Sequence, residues 1–179
     1  MAHIELPTES PGIRGLFEFR PQTAQPLGEL AEVLLRADNS LGRGERELIA
    51  AYVSSLNDCD FCASSHSAFA ALQLPNGWTV VDGVLHDPAS APIDDKLKAL
   101  LALAGEVQRG GRAVTPATVA TARDAGASDV EIHDVVLIAA AFCMFNRYVD
   151  GLGTAAPQDR ADYLPMAERI VDSGYLGSR

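Results

Sequence analysis

Positive charge is scarce in this 179-residue sequence: 14 lysines and arginines stand against 24 aspartates and glutamates, for a formal net charge of −10 and a pI near 4.7. Binding a phosphate backbone needs clustered Lys and Arg, so nucleic acid is not an expected partner. Long apolar runs are lacking too: no stretch approaches the ~20 residues that cross a bilayer, so a membrane is not expected as a partner either. Met1-Ala2-His3-Ile4-Glu5-Leu6-Pro7 lacks a basic segment leading into an apolar one. Nothing there marks export, and a cytoplasmic location is expected. Alternating apolar and polar residues never persist for the length of a strand, so the fold class expected is all-α. Only three cysteines occur. In a reducing compartment these rest as thiols, and a close pair serves catalysis or metal binding rather than bracing.

What is present fits a globular chain. Hydrophobic residues make up 47%, the mean hydropathy is +0.06, and the length suffices to bury a core without disulfides. Residues 1–25, punctuated by Pro7, Pro11, Gly12 and Pro21, read as an N-terminal arm that is mostly coil, and residues 26–179 as a single helical domain. Within it, Leu27, Leu30, Val33 and Leu34 mark a helix from Pro26 to Arg36. Leu48, Ile49, Tyr52, Val53 and Leu56 form the stripe of a second, from Glu45 to Leu56.

Asn57 or Asp58 can cap a third helix, running to Leu74. Trp78 to Pro92, with Gly83, Pro88 and Pro92, reads as an irregular crossing with at most one short turn of helix. A helix from Ile93 to Gln108 stops at Gly110-Gly111, and Thr115-Pro116 opens one that Gly126 ends. Ser128 and Glu131 form a capping box for the longest helix, to Asp150. There the run Ala139-Ala140-Ala141 allows another backbone to approach closely. A final helix starts near Pro165 and ends near Gly174.

The chemistry concentrates in Cys59-Asp60-Phe61-Cys62-Ala63-Ser64-Ser65-His66. Offsets of three, four and seven residues put Cys59, Cys62 and His66 on one face of a helix. A thiolate is the nucleophile toward peroxides and disulfides. Cys59 near a helix N-terminus gains from free amides and the macrodipole, while the flanking Asp58 and Asp60 oppose its ionisation. His66, one turn past Cys62, can take that thiol's proton. Either cysteine could attack first, the other then closing a disulfide. Two plainer readings compete: buried thiols that only pack, and a partial zinc site, for which His86, His133 and Cys143 show no second paired spacing. Position alone makes Glu47, off the Leu48/Tyr52/Leu56 stripe, a solvated carboxylate. Cys143 reads as core, His3 as terminal, and Trp78 as a lid or interface contact.

Taken together as E-x11-C-x2-C-x3-H, Glu47, Cys59, Cys62 and His66 resemble the signature of the AhpD-like alkyl hydroperoxidases, in the carboxymuconolactone decarboxylase superfamily. The resemblance covers about Arg43 to Leu74. Phe145-Asn146-Arg147-Tyr148-Val149-Asp150-Gly151-Leu152-Gly153 is similar to the peroxidase-related branch, which often has an Asn-Arg pair near this place. The resemblance implies an AhpD-like helical bundle with the cysteine pair at the N-terminus of a core helix. It further implies a homo-oligomer (dimer, trimer or hexamer) and a thiol peroxidase using no metal or other cofactor. Its substrates would be a small hydroperoxide and an external dithiol, lipoylated or thioredoxin-like. Cys62 would be the peroxidatic residue, Cys59 the resolving one, and His66 the base, with Glu47 polarising the relay through Cys59 or a water. Phe61 departs from the pattern, because well-studied members carry a histidine there that joins the relay, and a phenyl ring transfers no proton. Alternatives are a redox-sensing or non-catalytic member and a decarboxylase-like lyase, which would need no cysteines.

Overall fold

Side chains that accept the first free amides decide where several helices begin. The computed structural model describes residues 2–176, so the outermost ends of the expected 1–25 and 26–179 segments lie outside the described residues. Among those described, every regular element is helical. In chain order they are α1 (Ile13–Phe19), α2 (Pro21–Arg36), α3 (Arg43–Leu56), α4 (Asp60–Gln73), α5 (Gly77–His86), α6 (Asp95–Arg109), α7 (Pro116–Asp124), α8 (Asp129–Gly151) and α9 (Leu164–Ser173). Short 3-10 turns occupy Gly111–Ala113 and Arg160–Tyr163.

The expected caps of α7 and α8 are formed. Thr115 Oγ1 accepts from the Thr118 amide at 3.1 Å. Ser128 Oγ accepts from the Glu131 amide at 3.2 Å while Glu131 Oε2 accepts from the Ser128 amide at 2.7 Å. Asp94, not singled out in the sequence, caps α6 through the Leu97 amide at 2.8 Å.

Three local expectations are overturned. The arm carries all of α1 and the first turn of α2, because Ile13, Leu16 and Phe17 recur at helical spacing behind Gly12, and Pro21 stands in the first turn of α2, where its missing N–H costs nothing. Residues 78–92 are not an irregular crossing, since α5 fills most of them and buries Val80, Val81 and Val84. Gly83 there serves close approach: a Cβ would come 3.2 Å from Pro92 Cδ. Finally, neither Asn57 nor Asp58 caps α4. Asp58 takes a left-handed conformation, φ 56°, turning α3 into α4, and Cys59 itself is the N-cap.

Packing follows from α3, which buries nine of its residues, Leu48 through Ala51 in unbroken succession. α4 folds back against it as a hairpin, α8 packs on α3 and α6, and α9 covers α4. Each large aliphatic or aromatic side chain removed from water this way contributes ~1.5–3 kcal/mol. In the alanine run only Ala139 and Ala141 are buried, while Ala140 is exposed. One membrane expectation needs correcting: α8 has the length and composition of a bilayer-crossing helix, although half of its apolar window is buried within the fold.

Glu131 also anchors α8 to α6, its Oε1 accepting from Lys96 Nζ at 2.8 Å. Burial pushes its carboxyl up, but bonds from Lys96, Ser128 and Ser40 outweigh this and bring it from 4.5 down to about 2. A depressed carboxyl contributes fully above its unfolded value and loses that contribution as pH falls through the folded one. The native protein is therefore expected to exceed Glu131→Gln in stability by about 3 kcal/mol at pH 7. Urea titrations at a series of pH values should show the gap closing between pH 4.5 and pH 2; a constant gap would contradict the account.

Candidate active site

The turn between α3 and α4 sets the thiols. Asp58 donates its amide to Ser55 O at 3.0 Å and Cys59 to Ser54 O at 3.1 Å, so Cys59 leaves the turn in extended conformation and the next residues coil at once into α4. Cys62 falls in the first turn and His66 one turn on, as the spacing predicts. Cys59 and Cys62 are 1% and 4% exposed, and all three cysteines of the chain are free thiols.

Glu47 is not the solvated carboxylate its position off the stripe suggests: it is 1% exposed. In a central helix buried nearly all round, lying off the apolar stripe does not mean facing water. Its Oε2 lies 2.6 Å from His66 Nδ1, and its Oε1 accepts from the Tyr175 hydroxyl at 2.7 Å. An ionised carboxylate only accepts, so His66 donates from Nδ1 and Nε2 is left to take a proton. The contact corrects the expectation that Glu47 acts through Cys59 or a water, since carboxylate and imidazole touch directly. Aromatic rings hold the imidazole. Phe142 meets it edge-on at 4.6 Å, Phe69 at 5.0 Å, and Tyr175 lies nearly parallel at 6.3 Å. Burial and the Glu47 charge push the Tyr175 hydroxyl well above its ordinary value, keeping it a donor.

Cys59 does not become the easier thiol to ionise. Its hydrogen bond to Cys62, its burial and the charge at Cys62 raise it far above the ordinary thiol range, with the carboxylate of Asp150 adding to the effect. Only the Cys62 amide pulls the other way. Cys59 thus holds its proton more tightly than an ordinary thiol. Desolvation of its carboxyl and the nearby Asp60 raise the exposed Asp150 in turn, while its bond to Cys59 opposes them.

Cys62 and His66 open into a cavity of about 120 Å³ whose walls include Phe17, Phe61, Phe69, Phe142 and Met166. Phe61, standing where a relay histidine was expected, is one of these walls. Its ring packs 6.0 Å from that of Tyr163 and fills the space a side chain on Gly12 would need.

The remaining candidates lie elsewhere. Cys143 is half-buried and accepts weakly from Asn57 Nδ2 at 3.5 Å. His133 is exposed and pairs with Asp134 at 2.8 Å, His86 ends α5, and His3 sits 3.4 Å from Gly151 O. Trp78 is neither bare lid nor bare interface, since the Arg160 guanidinium stacks on it 3.9 Å from the ring centre. Asn146 is buried, bonded to Asn57 at 2.8 Å and Ser54 at 3.0 Å, and it ties α8 to the turn behind Cys59. The exposed Arg147 caps the Cys143 carbonyl at 2.8 Å. Among the described residues, no three His, Cys, Asp or Glu side chains are grouped as a metal ion would require.

Two site residues escaped the sequence. Tyr175 follows Gly174, whose φ of 77° turns the chain out of α9, and its amide donates to Glu32 Oε2 at 2.7 Å. Asp150 ends the capping-box helix. No spacing rule relates either residue to the cysteine motif.

A family model described as the carboxymuconolactone decarboxylase family matches residues 21–74, from the start of α2 through α4. No curated protein matches the chain by sequence. The fold is similar to a crystal structure described as an alkylhydroperoxidase AhpD core, an uncharacterized peroxidase-related protein from Ralstonia eutropha JMP134. The TM-score is 0.77 and the identity 25%, over 88% of this chain and 80% of that one. It is also similar to an uncharacterized peroxidase-related protein from Silicibacter sp. TM1040, with a TM-score of 0.76 and 24% identity over 86% of this chain and 78% of the other.

Proposed function

We propose that this chain, whose residues 21–74 match the carboxymuconolactone decarboxylase family model and whose fold is similar to an AhpD core, is a thiol peroxidase in which Cys62 reduces a hydroperoxide and Cys59 resolves the product. The observation that carries this is the arrangement around Cys62: it lines one cavity with His66, whose imidazole is held by a buried carboxylate, and the buried Cys59 stands one turn before it.

His66 Nε2 takes the Cys62 proton, leaving a thiolate that attacks the terminal oxygen of ROOH. The O–O bond breaks, the hydroxyl stays on sulfur as a sulfenic acid, and the leaving alkoxide takes the proton back from His66 as ROH. Cys59 then attacks the sulfenic sulfur. The S–S bond forms, and the departing hydroxide leaves with the Cys59 proton as water. An external dithiol, on a lipoylated or thioredoxin-like protein, reduces the disulfide and is itself oxidised. Such a cycle suits the reducing cytoplasm. Mixing reduced protein with hydrogen peroxide or an organic hydroperoxide in a stopped-flow instrument, then counting thiols, tests this. Rapid loss of two thiols per chain supports it. Oxidation no faster than that of a free thiol favours a redox-sensing role, toward which Phe61 in the relay position leans.

Tyr175→Phe removes one of the two donors on the Glu47 carboxylate. The expected result is a ~10–100-fold slower oxidation of Cys62, the worth of one hydrogen bond to a charged group, with the apparent pKa of the rate shifted as well. A native rate and pH profile would remove Tyr175 from the machinery. Self-association is part of the same proposal. Val130, Leu137 and Met144, 62%, 39% and 44% exposed, follow at intervals of seven along α8, an apolar seam suited to a second copy. Leu137→Asp is expected to convert an oligomer to monomer in sedimentation velocity, whereas a monomeric native protein would refute self-association.

A further inference from the structure

The proposed peroxidase reading needs Cys59 to reach Cys62 after the first step, and the turn that carries Cys59 is held by a polar cluster that takes no part in that chemistry. The turn is strained. Asp58 has φ 56°, a left-handed conformation that a residue with a Cβ adopts at a cost and keeps only where its surroundings fix it. Cys59 leaves this residue with its amide donating to Ser54 O at 3.1 Å. Its place beside Cys62 therefore depends on how Ser54 and Asn57, at the end of α3, are held. Neither relies on its own helix alone. Asn146, 1% exposed on α8, donates from Nδ2 to Ser54 Oγ at 3.0 Å, and its Oδ1 accepts from Asn57 Nδ2 at 2.8 Å. From α6, Gln108 Nε2 donates to Leu56 O and to Asn57 Oδ1, both at 3.0 Å. One buried amide thus grips Ser54 and Asn57 together, and a second helix adds a grip on Asn57. Apolar packing alone would join these helices at less cost, since a buried amide must be paired. A paired network instead fixes one arrangement, where packing tolerates slippage.

We propose that Asn146 is a positioning residue for the resolving step: through Ser54 and Asn57 it sets the α3–α4 turn so that Cys59 stands within reach of the Cys62 sulfenic acid. The role rests on the peroxidase reading for the oxidant, a hydroperoxide, but not for the geometry. Bond changes are those given above: the Cys59 sulfur displaces hydroxide from the Cys62 sulfur, the S–S bond forms, and water leaves with the Cys59 proton. Asn146 bonds to Ser54 and Asn57 and acts by alignment. Closing the disulfide brings the two sulfurs to about 2 Å, and a misplacement of about 1 Å costs up to about a hundredfold in rate. Cys62 and His66 stand inside α4, with the imidazole held by Glu47, so the first step does not depend on the turn in the same way.

Two measurements test this. In the first, reduced protein is mixed with equimolar hydrogen peroxide and quenched at intervals with a dimedone-type trap, and mass spectrometry counts sulfenic acid and disulfide. In Asn146→Leu, checked for native helicity, Cys62 is expected to oxidise near the native rate while closure slows about tenfold or more, so that trapped sulfenic acid accumulates. Gln108→Leu, at a half-buried position, perturbs folding less and is expected to slow closure about threefold, the worth of a net hydrogen bond. Val81→Ala controls for lost stability alone: Val81 is buried on α5, which carries none of these bonds, and closure there is expected at the native rate. The second measurement needs no peroxide. Equilibration with a thiol–disulfide buffer is expected to show the Cys59–Cys62 disulfide about tenfold less favoured in Asn146→Leu than in the native chain. Native closure or an unshifted equilibrium in Asn146→Leu, equal slowing of both steps, or equal slowing in Val81→Ala would each overturn the assignment. Should Asn146→Leu lose its helicity, native closure in Gln108→Leu overturns it. If the buffer equilibrium shifts as expected while no peroxide oxidises Cys62, the positioning role stands and the peroxidase reading fails.

Discussion

Cys62→Ser is expected to abolish dithiol-supported peroxide consumption, while Cys143→Ser keeps it near the native rate. The two thiols differ in setting. Cys62 lines the cavity beside His66, with Cys59 buried one turn before it. Cys143 sits on α8 with only a weak amide contact from Asn57 at 3.5 Å. A serine hydroxyl keeps the shape and loses the chemistry, since its proton is held too tightly for a thiolate-like attack at neutral pH. Cys59→Ser separates the two steps: Cys62 should still react once and stop as a sulfenic acid, detectable with a dimedone-type trap, with no disulfide formed. Equal loss of turnover in Cys62→Ser and Cys143→Ser would refute the site, and so would a sulfenic acid trapped on Cys59.

Glu47→Ala is expected to have the second largest effect, on both rate and stability. Its carboxylate is buried and accepts from His66 at 2.6 Å and Tyr175 at 2.7 Å. Removing it leaves two donors among aromatic rings with nothing to accept them. Each buried unsatisfied polar group costs about 1–3 kcal/mol, so a total loss of roughly 2–5 kcal/mol is expected. The imidazole would also lose the bond that fixes its ring, and loss of an oriented base slows proton transfer about a hundredfold or more. Glu47→Gln is the informative companion. It retains one acceptor and the volume, so it should recover much of the stability while the rate stays low. Chemical denaturation and single-turnover oxidation, run on both variants, separate these effects. A Glu47→Ala protein as stable as the native one would mean that the buried pair does little for the fold. A native rate in Glu47→Gln would mean that the carboxylate charge does little for the chemistry.

How much of this was legible before folding depended on the range of the signal. The caps at Thr115 and Ser128 and the stop at Gly110 were readable because a cap is decided within about four residues. Misreadings arose where a local breaker met a tertiary use. Gly83 and Pro92 looked like interruptions but pack against one another beside α5, and the prolines of the arm masked the helical spacing of Ile13, Leu16 and Phe17. Asn57 looked like a cap and is instead the bridge from the turn to Asn146 and Gln108.

The same division runs through the site. By itself the sequence determined that Cys59, Cys62 and His66 share a face, because three- and four-residue offsets meet on any α-helix whatever surrounds it. The E-x11-C-x2-C-x3-H pattern also resembled that of the AhpD-like proteins, whose all-helical fold the chain shares. Only the tertiary structure decided that Glu47 is buried against His66 and that Tyr175, 128 residues further along, donates to the same carboxylate. It likewise brought Asp150 to Cys59. The physical reason is that proton affinity and substrate fit depend on burial and on partners distant in sequence. The N-terminus of α4 should have eased the ionisation of Cys59, but packing and the neighbouring Cys62 and Asp150 reversed that, because desolvation and a close hydrogen bond outweigh a helix dipole at the same atom.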